Sequence, residues 1–360
     1  MQVEHDVDLS TLTTMRVGGP AARLVRVTTT DELVDAVREV DDAEEPLLVV
    51  GGGSNLIVAD SGFAGTVVHV ETSGMTVESN DSCGGATVRV AAGEVWDDVV
   101  ARAVAEGWAG VEALSGIPGR TGATPIQNVG AYGQDVSQTI GQVRVWDRQQ
   151  QQVHTFFGSD CGFAYRDSRF KGGDGRGGRY VVLDVLFQLR IADLSQPLAY
   201  ADLARQLGVE QGARVPLSEA RDAVLAQRRQ RGMVLDEADH DTWSCGSFFT
   251  NPILSTREFA ALEVRVSARL GADAATPPRW PEERGIKTSA AWLIDKAGFG
   301  KGHRLPGPAG LSTKHTLAIT NRGTATAEQV LEVAREIRDG VGDVFGVRLL
   351  NEPVLVGLTL

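Results

Sequence analysis

The chain has 360 residues, 42% hydrophobic and 23% charged, with a formal net charge of -12. That is an ordinary globular composition, long enough for two or three domains with separate cores. The acidic balance argues against a nucleic-acid partner, which needs a basic face, but leaves an anionic small substrate open where arginines and backbone N–H groups gather locally.

The first ten residues, M-Q-V-E-H-D-V-D-L-S, carry neither a basic n-region nor an apolar h-region. No later apolar run is long enough to span a bilayer. A cytoplasmic protein without membrane insertion is therefore expected. Thr29-x-x-Glu32 reads as a capping box, and Leu33, Ala36, Val37 and Val40 follow at helical spacing. Pro46 to Val50 reads as a short buried strand ending on Gly51. A second helix is predicted over Trp96 to Glu106, with Trp96, Val99, Val100, Ala103 and Val104 on one face. Val-rich alternation predicts strands at Val88–Ala92, Val143–Asp147 and Tyr180–Leu189. Helical patterns return at Ser218–Arg231, Thr256–Leu270 and Thr326–Val341, the last opened by Thr326-x-x-Gln329. A closing strand is predicted at Pro353–Leu358. Strands dominate the first half and longer helices the second, which indicates an α+β protein rather than one doubly wound sheet.

Two glycine-rich loops stand out. V-V-G-G-G-S-N-L-I-V (Val49 to Val58) places Gly51, Gly52 and Gly53 directly after a strand, where backbone N–H groups can face phosphate oxygens, with Ser54 and Asn55 as further donors. It is not a Rossmann fingerprint, because the third glycine would fall on Leu56, and no Walker motif occurs. By itself it fits a strand-turn-strand as well as a phosphate cradle. The second loop, Ser115 to Gly133, carries five glycines among polar residues and Ile117, Ile126, Val129 and Tyr132. Its length points to binding and its apolar residues argue against disorder. Together the loops suggest an extended diphosphate ligand such as a dinucleotide cofactor.

S-C-G-S-F-F-T-N-P, Ser244 to Pro252, sets Ser247 among turn-forming residues, and read alone it favours a structural turn. Phe249 occupies the second glycine's place of G-x-S-x-G, so a hydrolase elbow does not fit. Cys83, Cys161 and Cys245 are odd in number and far apart; they match no disulfide framework and no zinc pattern, and no metal site is expected. His240, His303 and His315 form no pattern and are assigned no role.

At these motifs the chain resembles the FAD-dependent UDP-N-acetylenolpyruvoylglucosamine reductases. The resemblance runs through T-T-M-R-V-G-G-P-A (Thr13 to Ala21), G-G-G-S-N, the long I-P-G-R-T-G-A-T-P-I-Q-N-V-G-A-Y-G segment, F-A-Y-R-D-S-R-F-K (Phe163 to Lys171) and G-S-F-F-T-N-P. It implies a vanillyl-alcohol-oxidase-type (PCMH-type) two-lobed FAD-binding domain over residues 1–192 and an α+β substrate domain over residues 193–352. The strand within 353–360 is expected to return to the first domain. Cofactor contacts are implied for Gly51, Gly52, Gly53, Ser54 and Asn55, and for Gly119, Thr121, Gly122, Ala123, Thr124, Asn128 and Gly130. Relatives of this wider fold often attach FAD through a histidine in the first loop; no histidine lies between His5 and His69, so non-covalent FAD is expected.

The resemblance further implies that NADPH reduces FAD and leaves. The enolpyruvyl ether of UDP-N-acetylglucosamine then takes its place and receives hydride at its methylene carbon. Arg166 would stabilise the resulting enolate, Ser247 would give it a proton, and Glu352 would assist. A positioned serine is an adequate acid towards so basic a carbon, and a guanidinium stays charged beside it. Tyr165, Tyr200, Arg228, Arg231 and Asn251 fall at substrate-side positions, Tyr200 on the covering loop of the family's longer form. Two departures appear: Arg231 stands where the family shows lysine, and L-L-N-E-P-V replaces the usual P-E-V around the glutamate. A monomer is expected. Alternatives are another flavoprotein of the same fold, such as an alcohol or sugar oxidase, and a non-enzymatic flavin- or nucleotide-binding module; neither needs Arg166, Ser247 and Glu352 together.

Overall fold

The computed structural model describes residues 1–172, 178–271 and 276–360. They divide into two compact units that the chain enters more than once.

The first unit comprises residues 1–8, 20–53 and 63–234. One of its sheets has four strands, in the order Gln2–Asp8, Pro20–Val27, Phe63–Val70, Leu47–Val50. The outer Gln2–Asp8 strand is antiparallel to its neighbour and the remaining pairs are parallel. A helix, Thr30–Asp42, buries Leu33, Ala36, Val37 and Val40 as their spacing requires. Thr29 caps it by accepting from the Glu32 N–H at 3.2 Å, but the expected reciprocal half of the box is absent. The Glu32 carboxylate instead takes the N–H and hydroxyl of Thr28.

The other sheet is antiparallel, in the order Gln152–Phe157, Ile140–Asp147, Tyr180–Ile191, Gly85–Ala91, Met75–Asp81. Its central strand is a nearly continuous apolar run, as a strand covered on both faces must be. Asp184, in the middle of that run, is buried and paired with Arg89 at 2.8 Å and Arg144 at 2.6 Å from the flanking strands. The helix Trp96–Ala105 turns Trp96, Val99, Val100 and Ala103 inward. Two further helices, Ala201–Gln206 and Leu217–Gln230, enclose a small core of Leu198, Leu203, Ala204, Val215, Ala220, Ala223 and Val224.

The second unit comprises residues 9–19, 54–62 and 235–360. Its long helix, Ala327–Phe345, buries Val330, Leu331, Val333, Ala334, Ile337, Val341 and Phe345. The Thr326–Gln329 capping box forms as expected, and the Asp60 carboxylate accepts from the N–H groups of Ala327 and Glu328 at 2.7 and 3.1 Å. All four donors that a helix start leaves without intrahelical partners are thereby satisfied. The helices Thr256–Leu270 and Ala290–Lys296 pack on it. The final strand, Val354–Val356, lies parallel to Leu56–Val58.

By packing, the chain's last passage from the first unit to the second falls at Val234/Leu235. The Gln196 N–H donates to Glu112 at 2.6 Å, and Arg221 makes a bidentate pair with Asp97 at 2.7 and 2.9 Å; both contacts are internal to the first unit. The strand Leu56–Val58, which receives the chain's last strand, packs with the second unit although it precedes residue 192 in sequence.

Asn321 ties the Leu9–Gly19 segment to the rest of its unit. Its Nδ2 donates to the carbonyls of Met15 and Arg16 at 3.1 and 3.0 Å, and its Oδ1 accepts from the N–H groups of Gly323 and Ala325 at 2.8 and 3.0 Å. The side chain is 2% exposed, so water cannot replace these partners. Asn321→Ala is expected to cost about 3 kcal/mol or more, read as a lower urea midpoint at unchanged m-value; a loss below about 0.5 kcal/mol would contradict this account.

Candidate active site

In the first unit the strand Leu47–Val50 delivers Gly51 to Gly53 against the second loop. A Cβ on Gly52 would stand 2.7 Å from the Gly119 Cα, and one on Gly51 would stand 3.1 Å from the Arg120 Cβ. Only glycine allows this approach of two backbones. Among the described residues, the N–H groups of Gly52 and Gly53 donate to no backbone acceptor. That donor set suits a diphosphate, whose oxygens only accept.

His69 fixes the start of this loop. Its Nε2 lies 3.1 Å from the Gly51 carbonyl and its Nδ1 2.9 Å from an Arg26 guanidinium nitrogen. A carbonyl only accepts and a guanidinium only donates, so the ring is the neutral tautomer with its proton on Nε2. Burial pushes its pKa below the ordinary 6.5, and the positive charges of Arg26 and Arg120 act in the same direction, while Glu71 and the bond to Gly51 oppose them.

The second loop is threaded through its own unit by backbone bonds. The N–H groups of Thr121 and Gly122 donate to the carbonyls of Glu94 and Ala92, both at 2.8 Å, and the Gly119 carbonyl accepts from Trp96 at 3.1 Å. The hydroxyls of Thr121 and Thr124 donate to the carbonyls of Glu94 and Thr121, so they shape the loop itself. Asn128 closes the short helix Thr124–Gln127 in the left-handed region, φ 44°. Its Nδ2 reaches the Ala164 carbonyl at 2.9 Å.

That carbonyl opens the tight hairpin that carries Arg166. Ala164 and Asp167 exchange backbone bonds at 3.0 and 3.2 Å, with Tyr165 and Arg166 at the tip. Arg166 is left-handed, φ 55°, an uncommon conformation for a side-chain-bearing residue and one that tight, functional turns retain. Its guanidinium donates to the Gly130 carbonyl at 2.7 Å and the Asn128 carbonyl at 3.3 Å, and it lies 5.5 Å from the Tyr165 ring centroid.

Tyr200 is exposed at the start of the Ala201–Gln206 helix and meets the Tyr132 ring edge-on at 5.8 Å. Arg228 is desolvated: burial lowers its guanidinium to about 10, and its terminal nitrogen donates to the Met233 carbonyl at 2.7 Å. Arg231 is more exposed and lies 3.6 Å from Asp202, a pair too solvated to hold it strongly. Burial raises the Tyr132 hydroxyl while the charges of Arg228 and Arg231 pull it back. The structure therefore brings Tyr132, Tyr200, Arg228 and Arg231 into one neighbourhood. Tyr132 and His69 were not singled out from sequence; Tyr132 sat inside the long glycine loop, and nothing in the spacing linked His69 to Gly51.

The second unit carries Ser247 and Glu352 side by side. Gly246 takes a left-handed turn, φ 71°; a Cβ there would meet nothing within 4 Å, so its backbone angle and not crowding explains the glycine. Ser247 follows it, half-buried, and Phe248 and Phe249 anchor the turn in the core. The Phe248 carbonyl accepts the Glu352 N–H at 2.8 Å, and the Leu350 carbonyl accepts the Thr250 N–H at 3.0 Å. Asn55 donates from Nδ2 to the Glu352 carbonyl at 3.3 Å. The Asn251 Oδ1 accepts from the Ala290 N–H at 3.0 Å, at the start of a helix. Burial raises the neighbouring Cys245 thiol to about 12, so it is no thiolate. Among the described residues no cluster of His, Cys, Asp and Glu could hold a metal ion.

Known proteins match this chain along its whole length. A family model for the UDP-N-acetylenolpyruvoylglucosamine reductase C-terminal domain matches residues 237–356, and one for an FAD binding domain matches residues 21–155. The UDP-N-acetylenolpyruvoylglucosamine reductase of Thermobifida fusca is 58% identical over 358 residues, covering 99% of this chain and 98% of its own length. The chain belongs to the UDP-N-acetylenolpyruvoylglucosamine reductase family. The Streptomyces coelicolor reductase is 57% identical, covering 100% of this chain and 92% of that protein. Among solved structures, the UDP-N-acetylenolpyruvylglucosamine reductase from Thermus caldophilus aligns over 99% of both chains, with a TM-score of 0.65 at 26% identity. The 6-hydroxy-D-nicotine oxidase of Arthrobacter nicotinovorans shares the fold alone, with a TM-score of 0.51 at 16% identity over 98% of this chain and 88% of that one. The fold class is therefore the PCMH-type FAD-binding domain joined to an α+β C-terminal domain, as the sequence resemblance implied. This reductase-family chain has no helix long and apolar enough to cross a membrane among the described residues.

The His69 geometry sets a pH dependence. The folded chain holds the ring neutral, so below the ordinary 6.5 the unfolded chain binds more protons. The stability this contributes is complete above 6.5 and drains away as the pH falls through the lower folded value. His69→Gln keeps a donor for Gly51 without titrating. Between about pH 7.5 and 5 the wild type should lose more stability than the variant in paired urea titrations; parallel curves would refute the tautomer assignment.

Proposed function

We propose a division of labour in which the first unit's loops hold FAD, the Arg166 hairpin and Ser247 with Glu352 serve the reaction, and the tyrosine–arginine neighbourhood holds the nucleotide sugar. The reaction is the family's: NADPH-dependent, FAD-mediated reduction of the enolpyruvyl ether of UDP-N-acetylglucosamine to UDP-N-acetylmuramate, in peptidoglycan precursor synthesis. When bound, FAD would supply the hydride-transfer chemistry that links NADPH to the substrate.

Gly51, Gly52, Gly53 and Ser54 would line the diphosphate, and Gly119, Thr121, Gly122, Ala123, Thr124, Asn128 and Gly130 the remainder of the cofactor, while Asn55 bonds the chain's last segment. The donor character of Gly52 and Gly53 supports this. No histidine occupies the first loop, so FAD is held without a covalent bond; acid precipitation should leave flavin in the supernatant. In ligand terms residues 1–192 would serve the cofactor, apart from Tyr165 and Arg166, and residues 193–352 the substrate. The enzyme acts in the cytoplasm as a monomer, which light scattering at the mass of a single chain would verify.

The net change adds a hydride and a proton across the carbon–carbon double bond. Arg166 supplies positive charge to the enolate and its carboxylate, and two loop carbonyls keep its guanidinium in one place. Ser247 gives the proton from its hydroxyl and recovers one from water. Glu352 assists as the enolate forms. One observation carries this reading: the backbone bond from Glu352 to Phe248 puts the glutamate directly alongside the residue that follows Ser247. Tyr165, Tyr200, Arg228, Arg231 and Asn251 bind the substrate. The desolvated Arg228 and the more exposed Arg231 provide the charge a diphosphate requires.

The test is optical and anaerobic. NADPH should bleach the flavin spectrum, and the enolpyruvyl nucleotide sugar should restore it without oxygen. Bleaching without return would mean a different substrate. Ser247→Ala should bleach at the wild-type rate yet return about 100-fold or more slowly, as removal of a general acid implies. Loss of bleaching too would assign Ser247 to the fold or the cofactor.

A further inference from the structure

We propose that Asn55 is a positioning residue for Glu352, acting on the substrate half-reaction rather than on cofactor binding. The inference rests on the reading of Glu352 as a catalytic group. It starts from a change of partner in the chain's last segment. Up to Glu352 the backbone runs antiparallel to the Ser247 turn, through the Thr250–Leu350 and Glu352–Phe248 bonds. From Val354 it runs parallel to Leu56–Val58. Glu352 is the last residue of the first pairing, and its carbonyl is the first group beyond it.

Asn55 spans that change. Its backbone carbonyl accepts the Val354 N–H at 2.9 Å, and its side-chain amide donates to the Glu352 carbonyl at 3.3 Å. The Glu352 residue is thus gripped on both faces, by Phe248 through its N–H and by Asn55 through its carbonyl. Asn351 adds a local brace, its Nδ2 donating to the Pro353 carbonyl at 2.8 Å. Holding the backbone on two sides restricts where the carboxylate can stand, and a misplacement near 1 Å is enough to cost about 100-fold in rate. A short amide meets the requirement: it reaches the neighbouring carbonyl as a donor, which neither alanine nor an ionised aspartate can do.

The experiment compares Asn55→Ala with wild type in the FAD-loaded enzyme and its apoprotein. Three quantities are measured: the FAD dissociation constant, the rate of flavin bleaching by NADPH, and the single-turnover return of colour with the enolpyruvyl nucleotide sugar. The return should slow about 10- to 100-fold, with the first two changed by less than about threefold. Weaker FAD binding with a wild-type return rate in the loaded enzyme would overturn the proposal and make Asn55 a cofactor contact.

A double-mutant cycle separates positioning from general damage. If Asn55 acts through Glu352, Asn55→Ala adds little to the defect of Glu352→Gln; losses that multiply independently overturn the proposal. Glu352→Gln returning colour at the wild-type rate would remove the reading of Glu352 itself, and the Asn55 role with it. A slow Glu352→Gln beside a normal Asn55→Ala would sink only the present inference. Should Asn55→Ala fail to fold, Asn55→Ser keeps a shorter donor and should show a smaller loss confined to the same step.

Discussion

The close approach of Gly52 to Gly119 is the constraint on which the first unit's site depends. At 2.7 Å from a virtual Cβ to the Gly119 Cα, no side chain can occupy the position without driving the two loops apart. The contact settles where the second loop begins, and backbone bonds to Glu94 and Ala92 carry it onward. The loop then ends at the carbonyls of Asn128 and Gly130, which receive the Arg166 guanidinium. Arg166 itself sits in a strained left-handed turn, a conformation that persists only where the surroundings over-determine it. Those surroundings are the Asn128 amide on Ala164 and the mutual bonds of Ala164 and Asp167. Position at the arginine is thus inherited, residue by residue, from two glycines.

The second unit reaches the same end by another route. Its long helix has a fully capped start, in which Thr326 and Asp60 satisfy neighbouring N–H groups. Asp60 lies two residues beyond the strand Leu56–Val58, and that strand pairs with the segment following Glu352. Asn321 joins the Leu9–Gly19 segment to the same core through four hydrogen bonds. Segments far apart in sequence are therefore fixed by polar groups whose partners are few and directional, in addition to the apolar core that Met15, Val17 and Ile57 join. Apolar packing alone tolerates sliding by fractions of an ångström, whereas a buried amide with both ends engaged does not.

What the sequence revealed follows from which of these constraints are local. Helix starts were legible because caps are local: Thr326 and Gln329 are three residues apart and bond each other. Thr29 and Glu32 show the same spacing, yet the glutamate turned to Thr28, a competition that spacing cannot resolve. The central strand at 180–191 was legible from its apolar run, although its buried Asp184 needed arginines from two other strands to be tolerated. The strands Gln2–Asp8 and Pro20–Val27 escaped notice because the first is largely exposed and alternates weakly. The division at Val234 was hidden for a related reason, since the Asp97–Arg221 and Glu112–Gln196 contacts join residues about a hundred positions apart. Ser247, Arg166 and Glu352 were found only by resemblance to a family; nothing in spacing brings Ser247 and Glu352 together. His69 required knowing that its two nitrogens face a donor and an acceptor.

The departure from P-E-V to N-E-P-V around Glu352 has a physical explanation in the same ladder. The Thr250–Leu350 and Glu352–Phe248 bonds flank the Phe249–Asn351 pair. In an antiparallel ladder such a pair lies between bonded positions, and its own N–H groups point away from the partner. A proline at 351 would therefore forfeit no ladder bond. At 353 the situation is equivalent: the neighbouring donors, Glu352 N–H and Val354 N–H, are taken by the carbonyls of Phe248 and Asn55, and the residue between them is the one that has no donor. Both places tolerate proline because the segment is changing partners, and both leave the Glu352 N–H on Phe248. Moving the proline by two residues frees position 351 for an asparagine, whose amide then braces the Pro353 carbonyl. The glutamate keeps its register while the rigidity on one side of it is exchanged for rigidity on the other.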